Sequence, residues 1–211
     1  RKASMEILTL PLGPIGTNCY LVADAAGNAA VIDPGGDADQ VLDALEAKGW
    51  RATHILLTHA HFDHIGAVAE LHATTGAPVA LHALDLELYR SGGGGRKYGL
   101  TFEVGADPEI ALESLANITV GGLTFAVLFV PGHTQGHVAF YEPSGKAVFS
   151  GDVLFEDSIG RTDLQGGDYA TLMRSIRDVL LQLPDDTAVY PGHGAATTIG
   201  RERRLNPFLA A

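Results

Sequence analysis

Four apolar runs in this sequence each end on a histidine or an aspartate. The run 54–58 enters His59-Ala60-His61-Phe62-Asp63-His64. The run 123–130 passes Pro131-Gly132 to His133, the run 147–150 passes Gly151 to Asp152, and the run 187–190 passes Pro191-Gly192 to His193. All four are rich in Val, Ile, Leu or Phe and read as strands. The glycines before Asp152, His133 and His193 suit turns that need conformational freedom or close backbone approach. Strand ends in a layered fold gather at one edge, so segments remote in sequence are expected to meet there.

Further strands are expected at 6–10, 19–23, 29–33, 78–81 and 137–142. Helical patterns lie between them. The segment 37–48 carries Val41, Leu42 and Leu45 on one face, with Asp37 as N-cap and Gly49 as stop. The segment 65–75 stops at Gly76-Ala77-Pro78, and the stripe Leu172, Met173, Ile176, Val179, Leu180 and Leu183 spans 169–183 before Pro184. Asp63 and His64 precede the second of these helices and are placed to cap it. No Pro/Ser-rich linker divides the chain, so 5–211 reads as a single domain. Arg1–Ser4 reads as an appended remnant, with Met5 as the natural start. Alternating strands and helices in both halves imply sheets covered on their outer faces by helices, an α/β architecture. The glycine run 92–95 is expected to form a mobile surface loop or a lid, since it lacks the spacing of a phosphate-binding loop.

Charge and cysteine content narrow the function. With 14 basic and 25 acidic residues the net charge is −11, which disfavours nucleic acid and anionic lipid as partners. No apolar run reaches the roughly 20 residues that cross a bilayer. Cys19 is the one cysteine; it excludes an internal disulfide and a cysteine-rich zinc site, and it reads as a packed strand residue rather than a nucleophile. A cytoplasmic location is the default expectation.

His59, His61, Asp63, His64, His133, Asp152 and His193 together offer the imidazole and carboxylate donors used by divalent transition metals. Seven donors exceed what one tetrahedral ion needs. If Asp152 is shared, two cations each receive three further ligands. The pattern is not the helical HExxH arrangement, because His59 and His61 are two apart and leave a strand.

At these motifs the sequence resembles the metallo-β-lactamase fold superfamily. Thr58-His59-Ala60-His61-Phe62-Asp63-His64-Ile65-Gly66 is similar to its signature, and Pro131–His137, Ser150-Gly151-Asp152 and Pro191–Gly194 resemble its remaining motifs in order. Gly160-Arg161-Thr162-Asp163 and the closing segment 198–209 are similar to single-domain, type II glyoxalase-like hydrolases. The resemblance implies an αββα sandwich of two mixed sheets. It implies that His59, His61 and His133 hold one metal, that Asp63, His64 and His193 hold a second, and that Asp152 bridges them. The cofactors are then two divalent ions, zinc first and iron or manganese otherwise. Asp33, before Pro34-Gly35-Gly36, is expected to orient the histidine loop, and His137 to support the ligands rather than bind.

The implied reaction is attack of a metal-activated hydroxide on a small-molecule thioester such as S-lactoylglutathione, with Asp63 as a weak base beside its ligand role. Arg161 is the expected contact for a substrate carboxylate and Arg203 a weaker one, since guanidinium presents paired donors. A mononuclear iron persulfide dioxygenase shares the same fold and a similar Gly-Arg-Thr-Asp stretch and is the alternative, alongside another ester or lactone hydrolase. His54, His72 and His82 read as structural or exposed. The oligomeric state is left open.

Overall fold

A computed structural model describes residues 5–114 and 116–209. Six strands form the first sheet in sequential order: β1 (Glu6–Leu12), β2 (Thr17–Ala23), β3 (Asn28–Ile32), β4 (Arg51–Leu56), β5 (Val79–Leu81) and β6 (Ile110–Ala111). β1, β2 and β3 pair antiparallel; β3 to β6 pair parallel through crossovers. The second sheet contains β7 (Asn117–Val120), β8 (Leu123–Phe129), β9 (Val138–Glu142), β10 (Ala147–Gly151), β13 (Ala188–Pro191) and β14 (Thr197–Thr198). Its order is β14-β13-β10-β9-β8-β7, with β10 and β13 parallel and the other pairs antiparallel. A small hairpin, β11 (Leu154–Phe155) and β12 (Ser158–Ile159), follows β10.

The period-two alternation of strands sorts the core into layers. On β2, Tyr20 and Val22 face the second sheet and pack with Phe125, Phe140 and Phe149. Cys19, Leu21 and Ala23 face outward, onto a cluster with Val41, Leu45 and Leu71. Those last residues belong to α1 (Ala38–Lys48) and α3 (Val68–Thr75). On the other side α5 (Tyr169–Asp178) lays Leu172, Met173 and Ile176 on Val148 and Val189 of the second sheet. The order helix, sheet, sheet, helix matches the expected αββα sandwich. Each fully buried Leu, Ile or Phe in these layers contributes about 1.5–3 kcal/mol.

Local departures have physical causes. The expected helix 65–75 is split into α2 (Phe62–Ile65) and α3, because the Pro34–Gly36 turn presses on the junction: the Ala67 N–H donates to the Pro34 carbonyl at 2.9 Å. Asp63 therefore lies inside α2 and caps nothing. Asp37 occupies the expected N-cap position of α1 but makes no capping bond, and its carboxylate accepts the Gly13 N–H instead. The stripe at 169–183 is kept, but its last turn tightens to a 3-10 helix at Leu180–Gln182. Between β5 and β6, α4 (Leu86–Arg90) leads into the glycine run, and α6 (Ile199–Leu205) closes the chain. Among the described residues no helix is long and apolar enough to cross a membrane.

Candidate metal centre

All seven candidate donors lie at the edge where β4, β8, β10 and β13 end. Ligand atoms of His59, His61 and His133 fall within 4.8 Å of one another, as do those of Asp63, His64 and His193. Asp152 lies between the two groups. Its Oδ2 is 3.6 Å from His133 Nε2 and 3.4 Å from His193 Nε2, and its Oδ1 is 3.4 Å from His64 Nε2. His61 Nδ1 and His133 Nε2 face each other at 2.9 Å.

Hydrogen bonds fix which nitrogen three of the rings present. His133 Nδ1–H donates to the Arg161 carbonyl at 2.8 Å, so Nε2 keeps its lone pair. The Thr58 hydroxyl donates to Asp33 Oδ2 at 2.6 Å and therefore accepts from His59 Nδ1–H at 3.0 Å. His64 Nδ1–H donates to the same Asp33 Oδ2 at 2.9 Å. Asp33 thus orients one histidine from each group, directly for His64 and through Thr58 for His59. Its own backbone takes φ 52°, a left-handed conformation that aspartate tolerates better than most residues. At His137 the Asp152 N–H donates to Nε2 at 3.1 Å, and the ring stacks on His59.

The donor set fits divalent cations on three grounds. His59 Nε2, His64 Nε2 and Asp152 Oδ1 are buried with no hydrogen-bond partner, which is costly unless something binds there. Burial and neighbouring imidazoles hold His59 neutral and push His61 down to about 3. Burial works against ionising Asp63, yet His64, His193 and Thr17 outweigh it and hold its carboxyl at about 2. Neutral imidazoles and ionised carboxylates are the forms that ligate. At His64 and His193 burial is outweighed by the Asp152 and Asp63 carboxylates, which push His64 up and His193 to about 9, so a cation there would take the place of protons. A third group, Asp33 with His59 and His64, is closed by the hydrogen bonds above. Gly192 explains one Pro-Gly-His turn: a Cβ there would lie 2.1 Å from Asp152 Oδ1.

The centre opens into a cleft of about 850 Å³ lined by Phe62, Tyr98, Phe155, Ile159 and Arg161 among others. Arg161 is at this cleft, but its Nε and Nη2 both donate to Asp163 at 2.7 Å. Arg203 is not brought to the site. Its guanidinium pairs with Asp185 and donates to the Leu181 and Leu183 carbonyls, where it closes the turn after α5. That corrects the expectation of a substrate contact, because the guanidinium is engaged at the turn after α5 and no residue of α6 lines the cleft. His54, His72 and His82 also lie outside the centre, on Thr53, Ala77 and Leu84 respectively.

Three polar residues hold the centre without a motif to announce them. Thr17 donates to Asp63 Oδ2 at 2.8 Å. Asn18 donates to the Pro191 and Gly194 carbonyls on either side of His193. Asp85, buried, accepts from Ala60 N–H, the Thr134 hydroxyl and Gly136 N–H, which joins the His59–His61 segment to the His133 loop. The polar start of an otherwise apolar β2 is the one sequence signal that points to Thr17 and Asn18.

This arrangement defines a metal-binding αββα protein with its centre on the sheet edge. The chain belongs to the metallo-beta-lactamase superfamily, whose family model matches residues 12–193, and it is a metallo-hydrolase of that superfamily. It is 40% identical over 208 residues to the hydroxyacylglutathione hydrolase GloC of Haemophilus influenzae, covering 97% of this chain and 98% of that protein. Among solved structures it resembles the BLEG-1 B3 metallo-beta-lactamase with TM-score 0.92 and 41% identity over 98% of this chain and all of that one. It also resembles TTHA1623 in a di-iron-bound form, with TM-score 0.88 and 46% identity over 96% of this chain and all of that one.

Proposed function

We propose that this chain hydrolyses small-molecule acyl thioesters of the hydroxyacylglutathione type at a two-cation centre. The observation that carries the reading is Asp152, whose two oxygens lie within 3.6 Å of imidazole nitrogens from both histidine groups. The 40% identity to a hydroxyacylglutathione hydrolase over nearly the full length supports the substrate class. His59, His61 and His133 would hold one ion, Asp63, His64 and His193 the other, and Asp152 both. With no thiolate donor the set accepts zinc first and iron or manganese as well; the di-iron relative is consistent with that latitude. When bound, such ions supply Lewis acidity, bringing water toward a pKa near 7 and polarising a carbonyl.

The protein's own residues do the rest. Asp33, Thr58 and the Arg161 carbonyl keep the imidazoles in register, and Thr17 keeps Asp63 in place. Asp63, which lines the cleft, would act beside its ligand role as a weak base that orients water entering there. The apolar walls of the cleft exclude bulk water from the acyl group. The test is turnover by metal-replete protein of S-lactoylglutathione, a neutral ester, a lactone and a β-lactam, with oxygen uptake on glutathione persulfide in parallel. Thioester hydrolysis should exceed the other hydrolyses by about 100-fold or more in kcat/KM, equivalent to about 2.7 kcal/mol. Oxygen uptake without thioester hydrolysis contradicts the proposal, as does faster β-lactam opening.

A further inference from the structure

We propose that Arg96 and Lys97 form the anion-recognising edge of this cleft and select substrates whose thiol portion carries a negative group; the inference rests on the thioester reading and names which side chains choose the thiol. The charge of the lining is opposite to that of the molecule. The chain carries 25 acidic and 14 basic residues, yet the acidic residues lining the cleft are Asp63 and Asp152, both assigned to the metals, against Arg96, Lys97 and Arg161. Arg161 spends its fork on Asp163. Neither Arg96 nor Lys97 has an ion-pair partner among the described residues, and both are exposed. An uncompensated cationic pair at the mouth of a pocket in an acidic protein concentrates anionic ligands there.

The pair is also held at a fixed place relative to the chemistry. Arg96 and Lys97 sit in the 3-10 turn Gly95–Tyr98, at the end of the glycine run. That run docks on the ligand segment itself: the Phe62 N–H donates to the Gly93 carbonyl at 3.0 Å. Gly93 has φ 62°, and a Cβ there would lie 2.2 Å from the Phe62 nitrogen, so only glycine allows the approach. The Leu100 N–H closes the turn onto the Gly95 carbonyl at 3.1 Å, and the Tyr98 ring rests on Phe62 at 5.4 Å between centroids. Phe62 is flanked by His61 and Asp63. The cations are therefore carried on a wall that shares its anchor with the metal ligands, and the exposed Tyr98 face offers apolar surface in the same cleft for the aliphatic part of a thiol.

The test compares Arg96→Ala/Lys97→Ala, the reversal Arg96→Glu/Lys97→Glu, the conservative Arg96→Lys/Lys97→Arg and Arg161→Ala. Substrates are S-lactoylglutathione (carboxylates), acetyl-coenzyme A (phosphates) and an N-acetylcysteamine thioester (neutral). Binding of the unreactive S-methylglutathione is followed by calorimetry. The alanine pair should raise KM for the anionic thioester about tenfold with kcat within about twofold, the scale of two exposed charge contacts. The reversal should raise it further and the conservative pair should restore it. Metal content and the KM for the neutral thioester should stay as in the parent, and 0.5 M salt should mimic the alanine pair. A response confined to acetyl-coenzyme A keeps the site and assigns the anion to phosphate. An equal KM rise for the neutral thioester, no rise at all, or a larger effect from Arg161→Ala overturns the proposal. Binding of S-methylglutathione that weakens in the alanine pair, in a protein that hydrolyses no thioester, keeps this inference and refutes the thioester reading. Thioester hydrolysis with S-methylglutathione binding indifferent to the pair does the reverse.

Discussion

Asp33 is the residue on which both histidine groups depend. Its Oδ2 takes His64 directly and His59 through Thr58, and its Oδ1 takes the Thr58 N–H at 2.8 Å. Asp33→Ala is expected to lower metal affinity and kcat/KM together by about 10–100-fold, measured by chelator competition and steady-state rates. Asp85 acts by tying two ligand loops. Asp85→Ala leaves the Ala60 and Gly136 N–H groups without an acceptor and should cost on the order of 2–4 kcal/mol in chemical denaturation. The two residues differ in how far they were readable. Asp33 precedes a Pro-Gly-Gly turn at a strand end, so its position already sets it apart. Asp85 stands in the unremarkable stretch His82–Leu86, and its partner Thr134 lies 49 residues away. No local pattern encodes a pairing made only by the tertiary fold. Arg203 fails for the same reason in reverse: a free guanidinium in the sequence is a used one in the structure, bound to Asp185 and the carbonyls after α5.

At the scale of elements, the long periodic strands and helices stand close to where the sequence puts them, apart from the split helix at 65–75, whereas β7 with four residues and β6, β11, β12 and β14 with two are too short to carry a period. The glycine run is the instructive case. Its composition reads as a mobile surface loop or a lid, and its glycines allow the close docking of Gly93 on Phe62 that makes it a wall of the cleft. Gly93→Ala should destabilise the protein by about 1–2 kcal/mol from the left-handed backbone alone and should weaken metal binding by displacing Phe62. Another link ties the sheets at their turns. Asp24 accepts from Ala26 and Asn28 at the β2–β3 turn and from Gly122 at the β7–β8 turn. Burial opposes ionisation of Asp24, but the Asn28 side chain and the three backbone N–H groups outweigh it and hold its carboxyl at about 2. Its folded value lies below the ordinary 3.8, so its contribution is present above 3.8 and is lost as pH falls toward 2. Denaturation midpoints between pH 5 and pH 2 should therefore fall less in Asp24→Asn than in the parent.

For the molecule as a whole, two sheets sharing one apolar layer bring β4, β8, β10 and β13 to a common edge, and the centre is a consequence of that convergence. The gathering of ligands was legible because each follows an apolar strand. Their pairing into two groups followed from the family resemblance and not from spacing, since it depends on which strands are neighbours. Cations bound to the native state alone add stability, about 4.1 kcal/mol per site at 1,000 times Kd. For a chain of this length that amounts to a fall in Tm of roughly 10 °C on removal of one ion, measurable by calorimetry with and without chelator.

Anomalous diffraction from crystals of the metal-loaded protein tests the centre most directly. Two peaks should appear, one bounded by His59, His61 and His133 and the other by Asp63, His64 and His193, with the Asp152 carboxylate reaching both. A single peak that leaves Asp63 and His193 without a metal, or no peak at this edge, would contradict the account.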